Sequence, residues 1–598
     1  MLRLSDYVIR FLENQNIDHV FTVTGGGSIF LCDALYSSKK IKTICCHHEQ
    51  AVAMATESYA RVRRSVGASL VTIGPGATNA ITGVVGSWMD SVPHIIISGQ
   101  AFYNQTIRDT GLRQFGVQEV NIVDLIKSVT KYAAVVSDPL EIKFHLEKAL
   151  YLATTGRPGP VWLDLPANIQ AAKIDENLLQ GFTPPTDPYV CDKDIKQKVA
   201  KIVELLTQAK RPLVHVGQGV RIANAEKEFW SLIEKYKIPF VTARNANDMV
   251  ASSHELFIGR PGTFPQRGAN FAVQNADFYL AIGTRLSLPQ TGYNAKDFAK
   301  NAFKVMVDVD KAELNKPSLN IDIKVHSDAK DFLKELNNQL EEKLINASEW
   351  IEQCRLWKKK YPAVLPEYKN QKKYINSYYF IDVLSDVLTN TDIVVTDMGI
   401  AFQGTHQAFR VKQGQKFFTN CGLASMGWGL PAAVGACIGS GYKRVICIAG
   451  EGGLMMNVQE LATVMHHKLP IKIFVLNNGG YLTIKQTQQL GFEGRLIGVN
   501  SETGLSFPDM LKLALAHDIP ATRLSSHDNL NQMLHDVVEA EGPHLCEIMM
   551  DPDQDQGPKT INRRNPDGTT VPTPLEDLYP YLDPTEVREN MIVDNKKK

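Results

Sequence analysis

The stretch Val445-Ile-Cys-Ile-Ala-Gly-Glu-Gly-Gly453 joins an apolar run to a glycine-rich turn. Residues 457–466 follow with apolar side chains at helical spacing, and a second apolar run, 471–476, comes next. This order predicts a strand, a helix and a second, parallel strand. Because the carboxyl ends of parallel strands meet at one edge of a sheet, we expect Glu451 and Asn478 to face one another there.

The polar groups at this edge suit a hard metal ion. The carboxylate of Glu451, the side-chain amide of Asn478 and a backbone carbonyl are hard oxygen donors. Mg²⁺ binds such donors in proteins, and a diphosphate and water can fill its remaining positions. The stretch therefore predicts a Mg²⁺ site beside a phosphorylated ligand.

The spacing of this stretch also resembles a known signature. The 24 residues 453 to 476 separate Gly452 from Asn477, similar to the Gly-Asp-Gly and Asn-Asn pair of thiamine diphosphate enzymes. The alternative is a strand-end turn without a ligand. Glu451 stands where that family usually has Asp, so the extra methylene either moves the metal or weakens its binding. The resemblance implies cofactor contacts at Gly450, Gly452 and Gly453, and Mg²⁺ ligands at Glu451, Asn478 and the carbonyl of Gly480.

Composition limits the class of protein. A chain of 598 residues is too long for one hydrophobic core, and three domains are expected. Its 44% hydrophobic and 21% charged residues are typical of a soluble globular protein. Lys+Arg and Asp+Glu balance at 64 each, which argues against nucleic-acid or membrane partners. Nine cysteines without an export signal favour a reducing cytoplasm.

Alternating strand-like and helical stretches predict an α/β fold with three doubly wound parallel-sheet domains. Proline marks a linker at 171–192, and a charged stretch at 337–373 is interpreted as a solvated helical linker. The Pro-rich tail is expected to be a lid or a partner-binding extension. The resemblance divides the chain into a pyrimidine-binding domain at 1–170, a Rossmann-like, FAD-type middle domain at 193–340, a diphosphate-binding domain at 375–553 and the tail at 554–598.

The first domain contains a candidate catalytic glutamate. His48-Glu49-Gln50, followed by an alanine-rich helix, resembles the catalytic segment of the acetohydroxyacid synthase branch. The resemblance implies that Glu49 holds the pyrimidine N1′ of the cofactor by a hydrogen bond, so that the cofactor's 4′-amino group can act as a base. An acidic helix N-terminus is the alternative. Gln118 matches an active-site Gln of that branch and is a candidate contact to the reacting ketoacid, with a surface Gln as its alternative.

The last domain resembles the same branch at two further segments. Gly399 stands where the family approaches the diphosphate, although Ile400-Ala401 replaces the usual Gln-His pair. In the segment 421–427, the resemblance implies that Met426 supports the bent cofactor and that the Ala424 carbonyl accepts a hydrogen bond from its 4′-amino group. Core filling is the alternative for the methionine.

The middle domain carries FAD in the synthase family. Gly217, Gly262 and Arg285 fall on flavin-contact positions of that family. Flavin-free relatives contain the same domain, so a purely structural domain is the rival interpretation.

The resemblance implies a homodimer or a homotetramer, with Glu49 of one subunit serving the cofactor held by another. It also implies that pyruvate loses CO₂ and that its two-carbon unit joins a carbonyl acceptor. Leu288-Pro289 and Thr487 stand where acetolactate synthases have Arg and Trp for the second 2-ketoacid, which favours another acceptor. The run 480–488 and the tail resemble flavin-containing carboligases of surface-sugar pathways, which implies a nucleotide-linked keto sugar as that acceptor. Acetolactate synthesis is the second hypothesis. A simple decarboxylase, a pyruvate oxidase and a non-catalytic homologue are further alternatives.

Overall fold

The computed structural model describes residues 1–186, 191–564, 567 and 569–592, so part of the predicted linker and the end of the predicted tail lie outside it. Three six-stranded parallel sheets, each flanked by helices, confirm the predicted α/β class. Two short antiparallel pairs accompany them, Leu2–Arg3 with Lys173–Ile174 and Asn562–Arg564 with Thr570–Pro572. In the described ranges, no helix is both long enough and apolar enough to cross a membrane.

The N-terminal sheet has the strand order β2-β1-β3-β4-β6-β5. Its strands are β1 (His19–Thr22), β2 (Lys42–Cys45), β3 (Gly67–Val71), β4 (His94–Gln100), β5 (Tyr132–Val135) and β6 (Pro160–Pro166). Its helices are α1 (Leu4–Asn14), α2 (Ile29–Ser37), α3 (Glu49–Arg63), α4 (Pro75–Asn79), α5 (Ile81–Met89), α6 (Ile122–Ile126), α7 (Ile142–Thr154) and α8 (Ala167–Ala171).

The central sheet has the order β9-β8-β7-β10-β11-β12, the Rossmann arrangement that was predicted for the middle domain. Its strands are β7 (Pro212–Val216), β8 (Phe240–Thr242), β9 (Phe257–Gly259), β10 (Phe278–Ile282), β11 (Phe303–Asp308) and β12 (Ile323–His326). Its helices are α9 (Ile195–Gln208), α10 (Gln218–Ile222), α11 (Glu226–Tyr236), α12 (Arg267–Asn275), α13 (Leu288–Thr291), α14 (Lys311–Leu314), α15 (Ala329–Gln339) and α16 (Ser348–Lys360).

The C-terminal sheet, β14-β13-β15-β16-β18-β17, repeats the strand order of the first. Its strands are β13 (Ile393–Thr396), β14 (Lys416–Phe418), β15 (Val445–Gly450), β16 (Ile471–Asn477), β17 (Ala521–Leu524) and β18 (His544–Met549). Its helices are α17 (Pro366–Lys369), α18 (Ser377–Val387), α19 (Ile400–Ala408), α20 (Gly429–Gly439), α21 (Glu451–Met455), α22 (Glu460–His466), α23 (Leu482–Gly491), α24 (Met510–Leu515) and α25 (Leu530–Glu539); α26 (Pro584–Glu589) lies in the tail.

The N-terminal and C-terminal domains meet where α3 packs against α20. A Cβ atom at Gly435 of α20 would overlap the carbonyl oxygen of Ala55 in α3, so the two helices approach within backbone contact. Beside this contact, the buried Glu57 carboxylate accepts hydrogen bonds from Trp428 Nε1 at 2.9 Å and Asn420 Nδ2 at 3.0 Å. One continuous hydrophobic core therefore includes residues of both domains.

One interpretation of the connecting segments was wrong. The charged stretch 337–373 is not a solvated linker, because α16 buries Trp350 and Trp357 against the central domain. The tail, which is predicted to be a lid or a partner-binding extension, is partly packed in the protein interior. Leu575 and Leu578 are buried, and Trp357 Nε1 donates a hydrogen bond to Asn590 Oδ1 at 2.8 Å, so the tail returns onto the central domain.

The substitution Gly435→Ala tests the contact between α3 and α20. The added methyl group has no space beside Ala55, and overpacking of this kind costs about 1–3 kcal/mol. We expect a clear fall in Tm in thermal unfolding followed by circular dichroism. Gly491→Ala is the control, because a Cβ atom there meets nothing within 4 Å. Equal Tm values for the two variants would contradict the described packing.

Candidate active site

Glu451 links the ends of two neighbouring strands, β15 and β16. Its Oε1 accepts hydrogen bonds from the backbone N–H groups of Asn478 at 3.1 Å and Gly480 at 2.8 Å. Its Oε2 is buried without a hydrogen-bond partner in the described chain. Burial raises the pKa of this carboxyl to about 7, and a bound cation would favour its ionised form. The predicted convergence of Glu451 and Asn478 at one sheet edge is confirmed.

The glycines after β15 leave room for close backbone packing. A Cβ atom at Gly452 would overlap the ring of Tyr481, and one at Gly453 would lie 2.9 Å from the carboxylate of Asp397. The predicted helix at 457–466 is shorter at its start, because α21 and α22 are separate helices at 451–455 and 460–466. The N-terminus of α21 therefore begins directly at the glycine-rich turn, where N–H groups can receive an anion.

Asp397, at the end of β13, organises the segment that contains Met426. Its Oδ1 accepts from the N–H of Gly427 at 3.1 Å, and its Oδ2 accepts from the N–H of Gly429 at 3.0 Å. Burial raises its pKa to about 6. Ala424 is held in the left-handed region at φ 59°, and its N–H donates to Asn420 Oδ1 at 3.1 Å. Asp397 has no motif of its own in the sequence, and only its position at a strand end could have indicated it.

These elements line a cavity of about 340 Å³ between the central and C-terminal domains, named here the Glu451 cleft. The sequence-predicted residues that line it are Gly399, Ala424, Met426, Gly450, Glu451, Gly452, Gly453, Asn478 and Gly480. Apolar side chains, including Ile400 and Phe402, form much of the remaining wall. The structure therefore brings nine of the residues that motifs in the last domain indicated into one cavity.

Several buried polar atoms in the wall of the Glu451 cleft have no partner in the described chain. They are Arg244 Nε, Glu451 Oε2, Gln403 Oε1 and Thr483 Oγ1. Buried polar atoms of this kind usually have a hydrogen-bond partner, so those in a cavity wall are available to a ligand, an ion or water. Gln403 lies one helical turn beyond Ile400, the position where the family's polar pair is absent. The sequence signal that could have identified Gln403 is its position three residues after Ile400, about one turn along the same helix.

Glu49 and Gln118 do not line the Glu451 cleft. Glu49 begins α3, is buried, and its Oε2 accepts a hydrogen bond from Asn79 Nδ2 at 3.0 Å. Gln118 is an exposed residue at φ 59°, and its backbone carbonyl lies against Gly74. Gly76 of the same turn lies next to the Glu49 carboxylate, so both predicted residues belong to one region of the N-terminal domain. Within a single chain they are separate from Glu451.

A second cavity, of about 130 Å³, lies at the carboxyl ends of β7, β10 and β11 and is named here the Arg285 cleft. Arg285 lines it directly. A Cβ atom at Gly217 would overlap the backbone of Gly283, which is part of the wall, and one at Gly262 would overlap the carbonyl of Pro289, another wall residue. Gly217 and Gly262 thus pack directly against residues of the cleft wall but do not line the cleft themselves.

Each domain matches a described family. Residues 397–548 match "Thiamine pyrophosphate enzyme, C-terminal TPP binding domain", residues 199–336 match the central domain, and residues 2–125 match the N-terminal TPP binding domain. The chain belongs to the thiamine pyrophosphate enzymes, thiamine pyrophosphate being another name for thiamine diphosphate. The predicted family is thereby confirmed, and among the predicted cofactors the matches support thiamine diphosphate.

Comparison with curated proteins places the chain more closely. It is 31% identical over 570 residues to the probable acetolactate synthase large subunit of Methanococcus aeolicus, with 92% of each chain covered. It is also 31% identical to the acetolactate synthase large subunit of Cyanidium caldarium, covering 91% of this chain and 92% of that one. For the chloroplastic acetolactate synthase of Arabidopsis thaliana, identity is 31% and the coverage is 91% and 81%. The chain is an acetolactate synthase-like enzyme.

The substitution Asp397→Asn tests the support of the Met426 segment. The new NH₂ group would face at least one of the N–H groups that the carboxylate now accepts from, which removes a charge-assisted hydrogen bond. We expect thiamine diphosphate binding, measured by quenching of tryptophan fluorescence, to weaken by about tenfold or more. Asp386→Asn, an exposed position in the same domain, is the control. Unchanged affinity in Asp397→Asn would contradict the assigned role.

Proposed function

We propose that this enzyme decarboxylates pyruvate and transfers the remaining two-carbon unit to a carbonyl acceptor. Pyruvate would lose CO₂, its former carbonyl carbon would form a bond to the acceptor's carbonyl carbon, and the acceptor's oxygen would take up a proton. This reaction consumes no oxidant. The observation that carries the proposal is the Glu451 cleft, where motif residues and unpaired buried polar atoms surround one cavity.

The residues of the Glu451 cleft fit thiamine diphosphate and Mg²⁺. The unpaired Glu451 Oε2 provides a metal ligand, with Asn478 and the Gly480 carbonyl as the proposed companions. Gly452 and Gly453 line the cleft, and the diphosphate would lie against them. When bound, thiamine diphosphate supplies the nucleophilic carbon and the electron sink for decarboxylation. Met426 would support the bound cofactor, and Ile400 and other apolar side chains of the wall would exclude water from it.

A second copy of the chain is proposed to complete the site. Glu49 is positioned by α3 at a distance from its own Glu451 cleft, yet a protonated or strongly hydrogen-bonded pyrimidine N1′ requires a carboxyl group. Glu49 and Gln118 of one subunit would therefore face the cleft of its partner in a homodimer or a homotetramer. In this arrangement Glu49 holds the proton at N1′, and Gln118 contacts the reacting ketoacid.

FAD is the proposed ligand of the Arg285 cleft. The cleft lies at the carboxyl ends of parallel strands in Rossmann order, where dinucleotides bind. The close approach of Gly217 to Gly283 keeps the wall free of side chains at this point. Arg285 provides a cation beside the space that the phosphates would occupy. Because the proposed reaction is not an oxidation, the flavin would have a structural role.

The acceptor is proposed to differ from the second 2-ketoacid of acetolactate synthesis. At the loop where the synthases have Arg, Pro289 lies within the first turn of α13, and its carbonyl accepts from the N–H of Thr263 at 2.8 Å. Thr487 is exposed on α23. A nucleotide-linked keto sugar is the acceptor that we propose. Acetolactate synthesis is the second candidate, because the curated relatives bear that name.

Product analysis tests the proposed reaction. Purified protein with thiamine diphosphate, Mg²⁺ and pyruvate should release CO₂ slowly, and the rate should rise when a nucleoside diphosphate-linked keto sugar is added. Mass spectrometry should then detect the sugar with a two-carbon addition. Acetolactate as the dominant product would establish the second candidate instead. Absence of CO₂ under all conditions would contradict the proposed function.

Mixing two inactive variants tests whether the active site is shared. Glu49→Gln and Glu451→Gln should each lose CO₂ release by at least about a hundredfold, because each removes an essential carboxylate. After co-expression, mixed dimers would contain one site in which both residues are intact. Activity should therefore recover to about a quarter of the wild-type value in a twofold-symmetric dimer. If co-expression restores nothing while each variant still binds its partner, the shared site is contradicted.

A further inference from the structure

Arg244 occupies an unusual position between the two clefts. It follows β8 in a single 3₁₀ turn, Arg244–Ala246, and it lines both the Glu451 cleft and the Arg285 cleft. Cys421 is beside it in both walls. A guanidinium at this junction can reach a ligand that extends from one cleft towards the other.

The charge of Arg244 has no counter-ion in the described part of the chain. Its Nη2 donates to the hydroxyl of Thr263 at 3.1 Å, and its Nε is buried without a partner. Burial lowers the pKa of its guanidinium. Arg61, Arg157 and Arg221 are paired with carboxylates, those of Glu57, Asp310 and Asp248. The buried Arg260 and Arg267 instead donate to backbone carbonyls, whereas Arg244 has only the Thr263 hydroxyl. A largely buried cation without a counter-ion is unfavourable, and an anionic ligand would relieve that cost.

The guanidinium is nevertheless held in a defined orientation. It lies 5.3 Å from the ring centroid of Phe402, a cation–π contact, while Thr263 fixes one edge. Thr263 is itself fixed, because its N–H donates to the Pro289 carbonyl at 2.8 Å. A fixed arginine with free N–H groups is prepared to bind a carboxylate or a phosphate.

The chemistry of the reaction indicates which substrate anion Arg244 could bind without slowing decarboxylation. The carboxylate of the donor pyruvate leaves as CO₂, so an ion pair with it would stabilise the ground state and slow its loss. A charged group on the acceptor survives the reaction, and binding it costs no rate in the decarboxylation step. We propose that Arg244 binds an anionic group of the acceptor, and therefore that the acceptor is an anionic carbonyl compound. This inference rests on the proposed carboligase function.

Two sources of that anion are compatible with a guanidinium at this position. One is the carboxylate of a second 2-ketoacid, and the other is the phosphate chain of a nucleotide-linked keto sugar. In either case Arg244 substitutes for the arginine that the loop at Leu288-Pro289 lacks, from a different strand of the central sheet. The same residue therefore determines acceptor specificity whichever source is correct.

The test compares Arg244→Met with Arg244→Lys in the holoenzyme. Methionine keeps the length and the contact with Phe402 but removes the charge. Three acceptors are offered with pyruvate: 2-ketobutyrate, a nucleoside diphosphate-linked keto sugar and the uncharged acetaldehyde. We expect Arg244→Met to raise the KM of the true anionic acceptor on the order of tenfold to a hundredfold. The KM of acetaldehyde should change by less than about twofold, and lysine should restore part of the loss.

Other outcomes would overturn the assignment. An equal loss with acetaldehyde, or weaker binding of thiamine diphosphate or FAD without a change in acceptor KM, would place Arg244 at a cofactor instead. If Arg244→Met lowers the Tm, Thr263→Val is the second variant, and it should raise the same KM to a smaller degree. Calorimetric titration of the anionic acceptors into the holoprotein needs no turnover. It therefore separates failure of this assignment, seen as equal affinity for wild type and variant, from failure of the proposed reaction.

Discussion

The contact between α3 and α20 determines how the chain can build an active site. Because Gly435 has no side chain, the backbone of Ala55 comes into direct contact with α20, and Glu57 joins both domains through Trp428 and Asn420. This packing holds α3 as a rigid body, with Glu49 at its N-terminus. Glu49 is consequently fixed away from the Glu451 cleft of its own chain. The fold thus separates, within a subunit, the two carboxylates that are proposed to act on one cofactor, which is the reason for proposing that two subunits share the site.

The two clefts are prepared for ligands by polar atoms that the fold itself does not satisfy. In a protein interior such atoms cost free energy, and the cost is recovered when a ligand supplies the missing partner. Glu451 Oε2, Gln403 Oε1 and Thr483 Oγ1 face one cleft, and the uncompensated Arg244 lies where that cleft meets the other. The free energy of unfolding is therefore expected to be larger for the ligand-bound protein than for the apoprotein, because ligands bind the folded chain and not the unfolded one.

The sequence predicted the structure best where the signal was local. The strands β15 and β16 lie where the apolar runs indicated, and the strand ends that follow them meet as expected. The many charged residues at 337–373 led to the wrong interpretation of this stretch as a solvated linker, because a helix with many lysines still buries two tryptophans on one face. Asp397 and Arg244 escaped prediction for a different reason. Their roles depend on residues far along the chain, Gly429 and Phe402, and no local pattern records such contacts.

The departures from the family motif are compensated within this structure. The longer side chain of Glu451 reaches the N–H groups of Asn478 and Gly480 with one oxygen and still leaves the other unpaired. Gly480 is itself fixed, because a Cβ atom there would overlap the carbonyl of Val499. The longer side chain thus has one oxygen anchored by the loop 478–480, and Oε2 stays available to the proposed metal. Likewise Gln403 brings an amide into the cleft one turn after Ile400. At both replacements, which on sequence alone suggested a non-catalytic homologue, a polar group still lines the cleft, as the proposed function requires.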